Sequence, residues 1–249
     1  MATSNYSHAS IGGLVQPAWQ LAEASGVKKL ENALKKYMRG HRAGTMIGLE
    51  GEQSNVIYCV WSGWISMSKS MPDGKRQIID FALPGEFLNP SSGHTAGSGL
   101  HIEAVTNASI ATIPETRWHE LKEAIPQLAR LESRVVAGAF SRLSERMLRL
   151  GKGSAEARIA HALIELCIRL RAIGQVEDDS FHIPLTQQQL GEFVGLSSVH
   201  VCRTIRRLSR SGVISMADHM DIDIHEMDHL AEIAGLDMDV LEEDIIPQL

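Results

Sequence analysis

Residues 184–215 read PLTQQQLGEFVGLSSVHVCRTIRRLSRSGVIS. Thr186 stands where a helix N-cap is needed, its hydroxyl able to accept a free first-turn amide. Leu190, Phe193 and Val194 supply the apolar side of a short helix. Gly195 marks its end, because glycine takes the left-handed conformation at little cost. Ser197 or Ser198 can cap a second helix, whose inner face is Val201, Ile205 and Leu208. Two short helices across a glycine-containing turn make a helix-turn-helix. GVIS and the later MDIDI then read as the two strands of a small wing.

The outer face of the second helix is positive. Residues 197–210 carry four arginines and no acid, within a 249-residue chain of net charge −6. In a helix-turn-helix the first residues of the second helix meet base edges in the major groove; here these are Ser197, Ser198, Val199 and His200, with Arg203 one turn on. Arginine suits guanine because its fork matches O6 and N7. Arg206, Arg207 and Arg210 lie further along, where phosphate contact is expected. Thr186, Gln187 and the first-turn amides can hold another phosphate. Double-stranded DNA is the partner this reading expects, against the plainer one of a solvated amphipathic helix. Cys202, next to Arg203, has two readings as well. It is either a redox position, where oxidation adds bulk and charge beside DNA, or a small residue at the groove edge.

Upstream the texture differs. MIGLEGEQSNVIYCVWSGWISMSKSMPDGKRQIIDFALPGEFLNP is built of short β-prone runs separated by turn dipeptides, the pattern of a sandwich or barrel. Asp73-Gly74 favours a tight hairpin. From Pro126 the period becomes helical: Val136, Phe140, Leu143, Met147 and Leu150 recur at alternating spacings of four and three, an a/d seam. Leu128, Leu131 and Val135 form a second stripe. Either one stripe packs on the strand domain while the other meets a partner chain, or both are core of one chain. A break at 151–153 precedes another amphipathic helix with Ile159, Leu163, Leu166 and Leu170 on one face. The last 34 residues hold eleven acids and neither Lys nor Arg.

The expected organisation is a flexible N-terminus (1–16), a strand-rich domain with flanking helices (17–125), a long helix (126–150), a hinge (151–153), a winged helix-turn-helix (154–236) and an acidic tail (237–249). The fold class is α+β. Composition, 44% hydrophobic and 22% charged, is that of a soluble globular protein. The opening MATSNYSHASIGG lacks signal-peptide character and no apolar run reaches the ~18 residues of a span. A cytoplasmic protein without membrane contact is expected. Cys59 and Cys167 read as inert core thiols. His94, His101, His219, His225 and His229 show no ligand spacing, so no metal is assigned. The tryptophans read as core aromatics. Nucleophile elbow, P-loop and dinucleotide fingerprints are missing, which argues against an enzyme.

LTQQQLGEFVGLSSVHVCRTIRRL and PDGKRQIIDFALPGEF, in this order around a long helix, resemble the Crp/Fnr family of transcription regulators over residues 20–236. The resemblance implies a cyclic-nucleotide-binding-type jelly-roll, a homodimer through the long helix, a palindromic operator and, as in activating relatives, contact with RNA polymerase. It makes the strand-rich domain (17–125) a sensor domain and the long helix (126–150) a dimerisation helix. It places an effector pocket at Gly85, Glu86, Phe87 and Ser98. Two departures bear on the input. The cyclic-nucleotide members follow Gly-Glu with an Arg-Ser or Arg-Thr pair, yet no arginine lies between Arg76 and Arg117. The iron–sulfur members carry N-terminal cysteines, and the first cysteine here is Cys59. No cofactor is therefore assigned and the effector is left open. A small-molecule-binding or scaffold protein of the same architecture, with weak DNA binding, is the alternative.

Overall fold

The computed structural model describes residues 24–88, 98–217 and 220–246. Helix α1 (Ala24–Lys35) leads into strands β1 (Met38–His41), β2 (Met46–Gly48), β3 (Val56–Ser62), β4 (Ile65–Ser70), β5 (Arg76–Ala82), β6 (Phe87–Leu88), β7 (His101–Ala104) and β8 (Ala108–Pro114). They form two four-stranded antiparallel sheets, ordered β1-β8-β3-β6 and β2-β7-β4-β5. This is the expected jelly-roll. Successive side chains of a strand point to opposite faces. Tyr58 and Val60 therefore join Ile65, Ile102 and Ile110 in one core, while Ile57 and Cys59 join Leu30, Leu34 and Ile113 in another.

Helix α2 (Glu115–Ala124) and the 27-residue helix α3 (Pro126–Lys152) follow, with Pro126 in the first turn of α3, where its missing N–H costs nothing. The two stripes of α3 separate. Leu128 and Leu131 are buried against the roll with Trp118, and Val135 packs beside them. Val136, Phe140 and Met147 are 64%, 71% and 74% exposed, an unpartnered apolar face in the single chain. Leu143 is exposed with them, as is Leu148, which lay outside the expected seam. Leu150 departs from the seam: it is half-buried and lies against Gly195 of the helix-turn-helix.

The helix continues through Gly151 and Lys152 and ends at Gly153, so the break is narrower than 151–153. Ser154 caps helix α4 (Ala155–Ala172) by accepting from the Ala157 amide. Every residue of α4 from Ile159 to Leu170 is buried, polar ones included. Strand β9 (Ser180–His182), helices α5 (Gln187–Val194) and α6 (Ser198–Arg210), and strands β10 (Ile214–Ala217) and β11 (Asp221–Ile224) make the winged helix-turn-helix, with sheet order β10-β11-β9. Helix α7 (Met227–Ala234) packs on α4. The acidic tail is not featureless: helix α8 (Met238–Ile245) buries Leu241 and Ile245 and lies across α3 and α4. No described helix is long and apolar enough to cross a membrane. The N-terminal segment 1–16, His94 and His219 lie outside the described residues.

Candidate nucleic-acid interface and its sensor connection

The local sequence fixes the helix-turn-helix. The Thr186 hydroxyl accepts from the Gln189 amide at 3.1 Å, and the Gln189 side chain accepts from the Thr186 amide at 2.9 Å, a reciprocal cap. Gly195 closes α5 at φ +67°, and Ser197 caps α6 by accepting from the His200 amide. Gly191 has a different role: a Cβ there would lie 2.4 Å from the Leu196 carbonyl oxygen, so the turn folds directly over it. Leu190, Phe193, Val194, Val201, Ile205 and Leu208 are all buried, as their spacing required.

The opposite face of α6 is presented to solvent. Ser197, Ser198, Val199, His200, Arg203, Arg206 and Arg210 are exposed. Arg207 is exposed too, but pairs at 3.1 Å with Glu156 of α4, which turns it to the flank. Arg203, Arg206 and Arg210 form no ion pair among the described residues. Thr186, Gln187, Arg206 and Arg210 border one open groove beside the wing, and half-buried Cys202 lies on the same groove. The structure thus brings Thr186, Gln187, Cys202, Arg206 and Arg210 to one groove, leaves Ser197, Ser198, Val199, His200 and Arg203 exposed on α6, and turns Arg207 aside. Cys59 and Cys167 are buried; burial pushes the Cys59 thiol far up and the Cys167 thiol up to about 11, so neither is a thiolate at neutral pH.

The β-roll grips this unit at two places. In the first, β5 meets α5: Gln77 donates to the Phe193 carbonyl at 3.1 Å, Arg76 approaches Glu192 at 3.6 Å, and the Phe81 and Phe193 rings lie 4.9 Å apart. The second is a buried charge network that the sequence reading missed. Between Met67 and Ser68 the β4–β5 register shifts, leaving Ile79 without a partner across the ladder. At this bulge the Ile79 carbonyl accepts from Arg146, and the next residue, Asp80, faces the helices. Asp80 touches Arg142 at 2.9 Å, Arg146 at 3.0 Å and Arg169 at 3.2 Å. Glu165 of α4 contacts the same three arginines, and Glu86 binds Arg169 at 2.8 Å. Burial opposes the charge on Asp80, but the three guanidiniums outweigh it and hold its pKa far below the carboxylate range. Burial likewise opposes the charge on Arg169; Glu86, Asp80 and Glu165 overcome it and push its pKa up. Beside the network, His161 is held neutral, its pKa drawn down to about 3 by burial and then by Arg149 and Arg146.

One signal of the network was visible. Glu165 and Arg169 sit four residues apart inside the otherwise apolar run HALIELCIRL, where charges have no solvated face to occupy. On α3, Arg142, Arg146 and Arg149 continue the stripe of Leu128, Leu131 and Val135 at helical spacing, a second signal that these charges face the core.

The four effector candidates divide. Gly85 (φ +88°), Glu86 and Phe87 line a cavity of about 430 Å³ between the roll, α3, the end of α4 and the end of α8. Ser98 is elsewhere, buried on a loop where its hydroxyl donates to the Leu100 carbonyl. A cyclic nucleotide does not fit this arrangement. Both Glu86 oxygens accept from Arg169, and the cations of the lining, Arg142, Arg169 and Lys122, are each already paired with a carboxylate. Among the described residues a cyclic phosphate would find no free counter-charge.

Comparison with known proteins agrees with this geometry. Residues 38–124 match the cyclic nucleotide-binding domain and residues 157–233 the Crp-like helix-turn-helix domain. The chain is 33% identical over 175 residues to the nitrogen fixation regulation protein FixK of Bradyrhizobium diazoefficiens, covering 70% of this chain and 72% of that one. It is 29% identical to the transcriptional activator protein anr of Pseudomonas aeruginosa, over 78% and 79% of the two chains. Its fold matches the structure of FixK2 from Bradyrhizobium japonicum with a TM-score of 0.69 at 24% identity, over 80% of this chain and 98% of that one. With the roll, the long helix and the winged helix-turn-helix in this order, the chain belongs to the Crp/Fnr family of transcription regulators, which are not enzymes.

Proposed function

We propose that the chain works as a homodimer that reads a palindromic operator through α6. The observation that carries this is the exposed face of α6, where Arg203, Arg206 and Arg210 stand uncommitted while the chain as a whole is acidic. Ser197, Ser198, Val199, His200 and Arg203 are the base-reading set, with Val199 offering apolar contact to a thymine methyl. Arg206, Arg210, Thr186 and Gln187 hold phosphates, with Arg207 at the flank. The exposed face of Val136, Phe140, Leu143 and Met147 on α3 is the dimer seam, since a two-fold axis along it buries a matching stripe from each copy. Input reaches α6 through the β5–α5 contact and the Asp80 network. The relatives' description as activators supports positive control of transcription, with RNA polymerase as the partner.

Operator selection from random duplexes, run on the wild type and Arg203→Ala, tests the reading. A palindrome with half-site centres about one helical turn apart, lost in the variant, is the expected result. A selection that returns the same sites for both proteins would overturn the assignment of Arg203.

A further inference from the structure

We propose that the 430 Å³ cavity beneath Glu86 and Phe87 is a site for an uncharged, largely apolar small molecule, and that the C-terminal helix α8 is its closure. The inference rests on the regulator reading above and supplies the class of its input. The volume lies in the range of small-molecule sites, about 300–1,000 Å³.

Its chemistry follows from what the lining has already spent. Arg142 and Arg169 are bound to Asp80, Arg169 is also bound to Glu86, and Lys122 holds Glu132 at 2.6 Å. Even the indole N–H of Trp118 donates to Glu132, at 2.9 Å. A charged guest would lose its water and gain no free partner, a costly exchange. An apolar guest loses nothing and meets Phe87 and Trp118, whose rings lie 5.1 Å apart, with the small residues Ala139 and Ala172 leaving the space. Exposed His119 and Val136, with half-buried Glu115, mark the side open to solvent, so a polar end of the guest would point that way.

The closure is built by residues beyond the matched helix-turn-helix domain, which ends at 233. Ile245 and Ile246 line the cavity, and Leu241 and Ile245 anchor α8 in the core. Gly138 lets the helix end lie on α3: a Cβ there would be 3.5 Å from the Asp244 carbonyl and 3.6 Å from that of Ile245. Alanine fits this gap and a longer side chain does not. Because the walls come from the roll, α3 and α4 together, a guest touches both halves of the regulator at once.

The test is a titration of the full chain, without DNA, with the neutral probe N-phenyl-1-naphthylamine and, separately, with anionic anilinonaphthalene sulfonate. Saturable binding of one neutral probe per chain is expected, at least ten-fold tighter than the anionic probe. Ala139→Trp and Ala172→Trp, introduced from different helices, should each weaken it at least ten-fold while keeping a cooperative melt. Gly138→Leu and deletion of residues 238–249 should each speed probe release at least ten-fold. Tighter binding of the anion, or neutral binding untouched by both tryptophans (a probe lying on the exposed face of α3), overturns the site. Unchanged release in both tail variants overturns the closure. Operator selection is independent of these measurements, so a failed site and a failed regulator reading are told apart.

Discussion

Replacing Asp80 by asparagine keeps the shape of the side chain and removes one charge from a balanced set. Three carboxylates (Asp80, Glu86 and Glu165) face three guanidiniums (Arg142, Arg146 and Arg169), and only Asp80 and Glu165 touch all three. Glu86 is 30% exposed at its side chain and reaches only Arg169, so it cannot stand in. Asp80→Asn therefore strands one buried positive charge. Removing one partner of a buried pair costs about 3–5 kcal/mol, and the asparagine carbonyl recovers a fraction through one retained hydrogen bond. The expected loss is about 3 kcal/mol, read by urea unfolding at pH 7 with tryptophan fluorescence. Arg142→Met alone should also destabilise, yet together the two changes should cost less than their sum, by about 0.5–3 kcal/mol. The wild-type contribution should persist through pH 4, because the folded carboxyl titrates far below its unfolded value of 3.8, and disappear only in stronger acid. A single-variant loss under about 1 kcal/mol, with additive costs in the double variant, would refute the network as a cohesive element.

His161 is neutral in the fold, with a pKa of about 3 against an ordinary 6.5. Below pH 6.5 the unfolded chain takes a proton that the native chain refuses, so stability falls with pH. Between pH 6.5 and 5 the wild type should lose about 1.6 kcal/mol more than His161→Leu, measured by paired urea titrations. Gly191→Ala should cost about 1–3 kcal/mol by forcing the turn off α5, whereas Gly138→Ala, with room for its methyl, should be neutral or gain about 0.5–1 kcal/mol; thermal melts of both variants check the contrast. Phe140→Ala should weaken the proposed dimer by about 3–6 kcal/mol, because a two-fold axis would count each lost side chain twice; sedimentation should then show dimer for the wild type and monomer for the variant at the same concentration.

Which parts were legible in the sequence follows the range of the interactions. The helix-turn-helix is written locally: Thr186, Gly195 and Ser197 each act within four residues, and the apolar spacing fixes which side is buried. Apolar spacing likewise marks Val136, Phe140, Leu143 and Met147 as one face of α3, exposed in the single chain, but Leu150 leaves that face. Leu150 is claimed by Gly195, a contact between residues 45 positions apart that no heptad records. The charge network showed only as charges inside apolar runs; its pairing was illegible for the same reason, since Asp80 meets Arg169 across 89 positions and only through a bulge. Ser98 was placed with Gly85 and Glu86 by resemblance alone, and the backbone takes it elsewhere. The acidic tail concealed a helix because its apolar contacts, Leu241 and Ile245, are few and its charges many.

Burial of α4 along twelve residues has a consequence for how the two halves can be treated. Regulators of this architecture invite being used as interchangeable parts, an input module joined to an output module at the glycine after the long helix. In this chain the counter-ions of the output half, Asp80 and Glu86, are supplied by the input half, and Arg142 and Arg146 of the long helix return the favour to Glu165. A graft cut at Gly153 would carry Glu165 and Arg169 into a host that must already own matching charges at the right bulge. Chimeras would thus succeed only when strand, long helix and α4 travel together, so the heritable unit of this protein is the trio and not the domain.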